Sequence, residues 1–318
     1  MRRAAALAFI PLLAAVAIAG CGSSSSSTAA APSDSYKSVT VTGDFNKSPK
    51  VTIPKEVGTG ALYTKTIIQG TGAKLTSSEG MIGNYVAYDW SGKTSKLLGS
   101  SYSQGTPSIF VGSLLPGLET ALVGQKLGSR VLAVIPPKDA FGSSGNSSEG
   151  IGANDTLVFV IDIGSTFVTS EVSGKQTSDG GGSLPTVTPP AANSTAGPTI
   201  KIPAKTTAPK KLQVDTLIKG KGAKVTKGQD IAVQYTGVIW RTGKVFDSSW
   251  ARNTPLTTVI GEGQVIPGWD DGLVGQTVGS RVMLVIPPAD GYGSSGASSA
   301  GINGTDTLVF VVDILAAV

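Results

Sequence analysis

The stretch VIPGWDDGLVG at residues 265–275 decides the fold of the C-terminal part of the chain. Proline near its start and glycine at its end are typical of the first turn and the end of a short helix, so we predict a helix over 267–275. The surrounding segments look like strands. Residues 279–286 and 307–315 are dense in Val, Ile, Leu and Phe, and residues 231–239 alternate apolar with mostly polar side chains. One short helix among several strands indicates an α+β domain in which the helix covers a sheet.

This pattern occurs twice in the chain. The stretch TIIQGTGAK at 66–74 returns as TLIKGKGAK at 216–224, and the correspondence continues through the apolar segments that follow. A repeat of this length indicates two copies of one structural unit. We therefore predict two domains of the same fold, at 61–166 and 212–318.

The segments outside the two copies have a different composition. Residues 167–211 are rich in Gly, Pro, Ser, Thr and Ala, which predicts a partly extended linker with little buried apolar surface. Residues 21–60 begin with a serine run and are interpreted as a flexible tether. Residues 1–20 carry Arg2 and Arg3 before an apolar run that is shorter than the ~20 residues that span a bilayer, so they are interpreted as a signal peptide.

The end of that signal peptide is Ile18-Ala19-Gly20-Cys21, which resembles the bacterial lipobox. The resemblance implies that Cys21 becomes the first residue of the mature protein and carries a diacylglycerol group, whose two acyl chains are enough for stable anchoring. The expected location is the extracytoplasmic face of the bacterial cell membrane. An ordinary signal peptide with an incidental cysteine is the alternative.

Composition excludes several kinds of chemistry. The chain has no histidine and one cysteine, so Ser-His-Asp and Cys-His catalysis, histidine metal sites, cysteine clusters and intramolecular disulfides are all excluded. We expect no cofactor and no metal. The net charge of +5 falls to 24 − 21 = +3 when Arg2 and Arg3 are removed with the signal peptide, which is too small to argue for a nucleic-acid partner.

Six short motifs in the second copy point to one family. They are Tyr235-Thr236-Gly237, Gly243-Lys244, Phe246-Asp247-Ser248-Ser249, Val265-Ile266-Pro267-Gly268-Trp269, Gly291-Tyr292-Gly293 and Leu308-Val309-Phe310. In this order and spacing they resemble the FKBP-type peptidyl-prolyl cis-trans isomerases along nearly the whole second domain. The resemblance implies two FKBP-like domains, each an antiparallel β-sheet wrapped around one short α-helix, with an apolar pocket between sheet and helix.

The resemblance also implies roles for individual residues. Trp269 would be the pocket floor, while the backbone N–H of Ile266 and the hydroxyl of Tyr292 would donate to carbonyls beside the prolyl bond. The catalytic set implied in this way is Tyr235, Phe246, Asp247, Ile266, Trp269, Tyr292 and Phe310. The substrate-binding set is Arg252, which together with Tyr235 would hold Asp247, and the wall residues Leu256, Val265 and Ile302. Leu256 departs from the family, because an aromatic residue is common there.

The implied activity suits a chain without histidine. Rotation about an Xaa-Pro bond breaks amide resonance, at a barrier of ~18–20 kcal/mol, but makes and cuts no bond. The implied partners are Xaa-Pro segments of exported proteins during folding, with a macrolide as a candidate ligand and a monomer as the expected state. The alternative is a non-catalytic tandem module or chaperone that binds Pro-containing segments at the cell envelope.

The first copy lacks much of this set. Leu98, Gly99, Gln104, Leu118 and Phe141 stand where the second copy has Phe246, Asp247, Arg252, Trp269 and Tyr292. The residues expected to keep its pocket apolar are Tyr88, Leu114, Leu115, Ile151 and Phe159. Two interpretations stay open: a weak or inactive domain that binds apolar or Pro-containing peptide, or a domain that keeps activity through shape and desolvation.

Overall fold

The computed structural model describes residues 34–56, 60–112, 114–170, 172, 174–190 and 196–318. Within those ranges the chain divides into two compact units, each built around one copy of the repeat. The predicted signal peptide and Cys21 lie outside the described residues. None of the described helices combines the length and apolarity needed to cross a membrane.

The N-terminal half of the chain, through residue 168, contains eight strands and two α-helices among its described residues. In chain order they are β1 (Thr40–Thr42), β2 (Lys50–Thr52), β3 (Tyr63–Ile68), β4 (Glu79–Ser91), β5 (Thr94–Ser100), α1 (Ser101–Gln104), β6 (Ser108–Phe110), α2 (Pro116–Leu122), β7 (Arg130–Ile135) and β8 (Thr156–Val168). Strands β3, β7, β8, β4 and β5 lie side by side in that order, and β6 pairs with β4. Strands β1 and β2 form a separate antiparallel hairpin.

The second unit repeats this arrangement with nine described strands and one α-helix. They are β9 (Gly174–Gln176), β10 (Thr186–Thr188), β11 (Thr199–Lys201), β12 (Gln213–Gly220), β13 (Asp230–Ile239), β14 (Val245–Ser248), β15 (Leu256–Val259), α3 (Pro267–Leu273), β16 (Arg281–Ile286) and β17 (Leu308–Ala317). The sheet order is β14-β13-β17-β16-β12-β9, with β15 also pairing β13. The predicted α+β class, with an antiparallel sheet around a short helix, is confirmed.

Two glycines allow α3 to lie close against the sheet. A Cβ atom on Gly268 would come 2.6 Å from the side chain of Ile286, and one on Gly272 would come 2.5 Å from that of Leu284. Real Cβ atoms do not approach so closely, so larger residues would push the helix off β16. The glycines thereby fix the depth at which Trp269, between them on the helix, meets the sheet.

The sheet of the second unit has an apolar cluster on each face, as the alternation of side chains along strands requires. The inner cluster, beneath α3, includes Tyr235, Trp269 and Phe310. The outer cluster includes Trp240, Met283, Val285, Val309 and Val311. Because both faces of the sheet are apolar, the strands are near-continuous hydrophobic runs in the sequence. The outer face must therefore be shielded from water by another segment of the chain.

That cover is the segment predicted to be a linker, and the prediction is wrong for its described part. Strands β10 and β11 pair antiparallel, with Val187 opposite Ile200, and both side chains pack into the outer cluster. They are 5% and 8% exposed. Strand β9 extends the sheet by pairing with β12. Composition concealed these elements because each strand has only three residues, and β10 and β11 each bury one apolar side chain.

The first unit has an equivalent hairpin within the predicted tether, which is likewise structured over 34–56. Val41 on β1 and Val51 on β2 pack on an outer cluster that includes Trp90. Arg130 also holds the hairpin turn. Its guanidinium donates to the backbone carbonyls of Gly43 at 2.8 Å and Lys47 at 2.6 Å. We call the two hairpins, β1–β2 and β10–β11, the covering arms.

Candidate active site

The inner face of the second unit carries four aromatic rings in contact. The Trp269 ring meets Tyr235 edge-on at 5.2 Å between centroids and Phe310 at 5.3 Å, and Phe246 meets Phe310 at 5.4 Å. Such edge-to-face contacts are favourable aromatic geometry. Gly237 on β13 makes room, since a Cβ there would lie 2.8 Å from Phe246 and 2.9 Å from Phe310.

These rings form the base of a cleft of about 470 Å³. Its lining is Tyr235, Phe246, Asp247, Leu256, Thr258, Gln264, Val265, Ile266, Trp269, Tyr292 and Phe310. The structure thus brings together nine of the eleven residues expected at the pocket. Thr258 and Gln264 were not predicted, because neither belongs to a motif that the sequence reveals.

The other two expected residues lie beside the cleft. Ile302 is 3% exposed and belongs to the apolar cluster beneath the aromatic rings, so it supports the wall from behind. Arg252 lies outside the lining and reaches the site through its partners. Its guanidinium donates to the carboxylate of Asp247 and, at 2.8 Å, to the hydroxyl of Tyr235.

A polar cluster of Tyr235, Asp247 and Arg252 closes one side of the cleft. The phenol of Tyr235 donates to the carboxylate of Asp247, and the Arg252 guanidinium lies over the Tyr235 ring, 5.7 Å from its centroid. Burial, followed by the hydrogen bond to Asp247, raises the pKa of Tyr235 to about 12. The phenol is therefore protonated at physiological pH, and the carboxylate has fixed partners on two sides.

Two hydrogen-bond donors at the cleft have no partner among the described residues. One is the backbone N–H of Ile266, the residue before the first turn of α3. The other is the hydroxyl of Tyr292, whose side chain is 42% exposed. Burial, and then the charge of Asp247, raises the pKa of the Tyr292 phenol, so it too stays protonated and able to donate. The cleft thus offers an apolar base with two free donors, which suits a carbonyl-bearing apolar ligand.

The sequence of this chain matches the profile of a known family in both copies of the repeat. The profile of the family described as FKBP-type peptidyl-prolyl cis-trans isomerase matches residues 77–164 and 221–315, more than half of the chain. The chain belongs to the FKBP-type peptidyl-prolyl cis-trans isomerase family. It is accordingly an isomerase with two FKBP regions.

Individual proteins are similar to parts of this chain. An FK506-binding protein of Streptomyces anulatus is 44% identical over 108 residues, 34% of this chain and 87% of that protein. An FK506-binding protein of Neisseria meningitidis serogroup B is 43% identical over 104 residues, 33% of this chain and 94% of that protein. Among solved structures, AtFKBP13 is 36% identical, with a TM-score of 0.32, over 35% of this chain and 96% of that one.

The first FKBP unit places a tyrosine inward, but a different one from the residue predicted. Tyr85 on β4 is 6% exposed and lies 6.5 Å from Phe159, as Tyr235 lies 6.2 Å from Phe310 in the second unit. Tyr88 packs on the outer cluster instead. The prediction of Tyr88 as a pocket residue is wrong because three positions along a strand reverse the face. The repeat itself pairs Tyr85 with Tyr235.

The remaining residues of the first site are where the alignment puts them. Leu115, Leu118, Ile151 and Phe159 are buried, and Leu114 is half-buried. Gly99 on β5 pairs with Ala87, just as Asp247 on β14 pairs with Gly237. The first FKBP unit therefore keeps apolar side chains at these positions and has no carboxylate at the one that Asp247 occupies.

Proposed function

We propose that isomerisation takes place in the second FKBP unit, at the cleft floored by Trp269. The observation that carries this proposal is the meeting of an aromatic base, two free donors and the Tyr235–Asp247–Arg252 cluster in one cleft. The planar prolyl amide is more polar than the twisted one. An apolar site that excludes water therefore disfavours the ground state relative to the transition state.

The two donors act on the twisted amide. As the C–N bond rotates out of conjugation, the positions of the flanking carbonyls change relative to the ring. The Ile266 N–H and the Tyr292 hydroxyl are held apart on different elements, so they select one substrate geometry. Hydrogen bonds formed best in that geometry lower the barrier. No proton transfer or covalent step is needed.

Isomerisation of a short Xaa-Pro peptide by the full chain tests this assignment. Changing Asp247 to Gly and Tyr292 to Phe gives the second site the residues of the first at these two positions. We expect the acceleration over the uncatalysed rate to fall by about tenfold or more, since each lost hydrogen bond of ~1–1.5 kcal/mol costs about tenfold. Unchanged acceleration in this variant would place the activity elsewhere.

A binding role for the first FKBP unit is a second candidate function. It is favoured by the apolar residues kept at Tyr85, Leu115 and Phe159 together with the loss of Asp247 and Tyr292 equivalents. In this proposal the first unit holds Pro-containing or apolar segments while the second isomerises them. Two sites on one chain raise the effective concentration of substrate near the second cleft.

We also propose that the enzyme acts on exported proteins from a lipid anchor at Cys21. Support comes from the lipobox-like Ile18-Ala19-Gly20-Cys21 and from the slowness of prolyl isomerisation, tens to hundreds of seconds, which limits folding. Mass spectrometry of the N-terminal peptide from membrane-extracted protein tests the anchor. A diacylglyceryl mass on Cys21, lost in Cys21→Ser, is expected, and an unmodified Cys21 peptide would contradict it.

The second cleft is also proposed to bind a macrolide, because the relatives are named as FK506-binding proteins. Leu256 and the Gly/Ser-rich loop after Tyr292 give this cleft a smaller wall and overhang than bulkier residues would. We therefore expect inhibition by FK506 that strengthens in Leu256→Phe. Absence of any inhibition, in a protein that is active on the peptide, would contradict macrolide binding.

A further inference from the structure

Glu149 in the first unit occupies a position that faces the apolar cluster around Tyr85. It lies in a turn closed by Asn146 and Ile151, whose backbones exchange hydrogen bonds of 2.9 Å each way. The second unit has the same turn between Ala297 and Ile302, at 2.9 and 3.1 Å, and there Ala300 occupies the place of Glu149.

The neighbours of Ala300 show where that position points. Ala300 packs against the apolar cluster that contains Tyr235, Ile302 and Phe310. Because the two turns are built alike, Glu149 is directed toward the equivalent cluster of Tyr85 and its neighbours. The first unit thus has a carboxylate above its apolar site where the second has a methyl group.

Electrostatics support this placement. Burial, and then the negative charge of Glu149, raises the pKa of the Tyr85 phenol. Glu149 is half-buried, and it forms no ion pair with any lysine or arginine in the described part of the chain. Its charge is therefore open to a ligand at the site.

The first unit has also lost the cations that balance acids in the second. In the second unit Arg252 pairs with Asp247, and Arg241 donates to both oxygens of Asp306 at 2.8 and 3.0 Å. The corresponding residues of the first unit are Gln104 and Ser91. Ser91 in place of Arg241 removes a positive charge, whereas Gln104 and Gly99 together remove the whole Arg252–Asp247 ion pair.

Acids nevertheless remain or have been added in the first unit. Asp155 takes the place of Asp306, and the buried Asp89 takes the place of Ile239. Lys96 is a cation beside these acids: its Nζ lies 2.7 Å from where a Cβ on Gly150 would be, and its charge lowers the pKa of Asp89 against the effect of burial. Three acids against one lysine leave this side of the first site negative.

We propose that the first unit binds peptide segments in which an apolar or prolyl residue has a lysine or arginine within about two positions, and that Glu149 selects the cation. The apolar residue occupies the cluster around Tyr85 and Phe159, and the cation meets Glu149. This specificity rests on the proposed binding role of the first unit, and it is independent of catalysis in the second.

Photo-crosslinking with the full chain tests the proposal. Two peptides, Ala-Lys-X-Pro-Phe and Ala-Glu-X-Pro-Phe with a diazirine-bearing leucine at X, are irradiated with the protein, and crosslinks are mapped by mass spectrometry. We expect the lysine peptide to label residues 83–165 about fivefold more than the glutamate peptide, the ratio expected for a partly exposed ion pair. The preference should weaken at high salt.

Three variants test whether Glu149 itself causes the preference for the lysine peptide. Glu149→Gln should abolish the preference, whereas Glu56→Gln, an exposed acid beside the covering arm, should leave it unchanged. Ala300→Glu should transfer the preference to the second unit, measured as a higher ratio of kcat/KM for the lysine peptide over the glutamate peptide. Equal labelling of the first unit by both peptides would overturn the role of Glu149. No labelling of the first unit, with normal labelling of the second, would overturn the binding role itself.

Discussion

The phenol of Tyr235 donates a hydrogen bond to the carboxylate of Asp247 on the neighbouring strand, and the first unit has Gly99, which carries no carboxylate, at the position of Asp247. The equivalent tyrosine there, Tyr85, faces Gly99 across the same pair of strands. Arg252 donates to both members of the pair in the second unit. The two units thus share a fold and an inward tyrosine while differing in the polar group that orders one side of the site.

The first prediction concerns that carboxylate. In Asp247→Asn the amide cannot accept from both Tyr235 and Arg252 as the carboxylate does, so the cleft loses order on that side. We expect kcat/KM for an Xaa-Pro peptide to fall by about tenfold, equivalent to ~1.4 kcal/mol. The matched control is Asp271→Asn, an exposed acid on α3, which should keep full activity. An equal loss of kcat/KM in both variants would mean that the loss comes from the change in net charge and not from the contacts of Asp247.

The second prediction concerns the covering arm of the second unit. Ile200→Ala removes a buried side chain that packs on the outer cluster, and the free energy of unfolding of this unit should fall by about 2 kcal/mol. Hydrogen exchange of β12 and β16 amides measures this loss, with Thr199→Ala on the exposed face as the control. The isomerase rate per folded molecule should stay unchanged. Unaltered protection in Ile200→Ala would show that the arm adds nothing to stability.

The third prediction is a pH dependence in the first unit. Burial, followed by the charge of Asp155 and hydrogen bonding with it, raises the pKa of Asp89 to about 6, and Lys96 opposes this shift. The side chain is 4% exposed, and its Oδ1 has no partner among the described residues. The folded unit therefore binds this proton more tightly than the unfolded chain does. The resulting stabilisation is complete below the ordinary aspartate pKa near 4 and is lost as the pH rises through 6.

Thermal unfolding between pH 4 and pH 8 checks that dependence. The transition of the first unit, identified by its shift in Leu118→Ala, should move down by several degrees as the pH rises, and then level off. Asp89→Asn should flatten the profile and raise the transition temperature at pH 8. A wild-type profile that is flat between pH 4 and pH 7 would contradict the raised pKa.

Much of the second site was predictable because its residues sit in ordered motifs. The helix start at Pro267 follows from the proline and glycine pattern, whereas the floor at Trp269 and the pairing of Asp247 with Arg252 follow from the resemblance. In the structure α3 begins at Pro267, and Arg252 donates to Asp247. Thr258 and Gln264 were missed because single polar residues on a strand and a loop carry no pattern.

The covering arms and the inward tyrosine of the first unit show where sequence reasoning fails. A three-residue strand such as β10 buries one valine, too little for a periodicity to appear against a Gly- and Pro-rich background. Tyr85 and Tyr88 lie on opposite faces of β4, and the register of the repeat identifies Tyr85 as the inward one. The partners of buried groups, such as Asp155 beside the buried Asp89, depend on contacts between distant segments, and no local pattern reveals them.

The most direct test of catalysis in the second unit compares substitutions of the two pocket-floor residues, Trp269 and Leu118, in the full chain. Trp269→Leu gives the second unit the floor residue of the first, and Leu118→Ala weakens the first at the matching position. Isomerisation of a short Xaa-Pro peptide is measured for both, with folding verified by hydrogen exchange. We expect Trp269→Leu to lose most of the acceleration over the uncatalysed rate and Leu118→Ala to keep it. Full activity in Trp269→Leu, or its loss in Leu118→Ala, would contradict catalysis in the second unit.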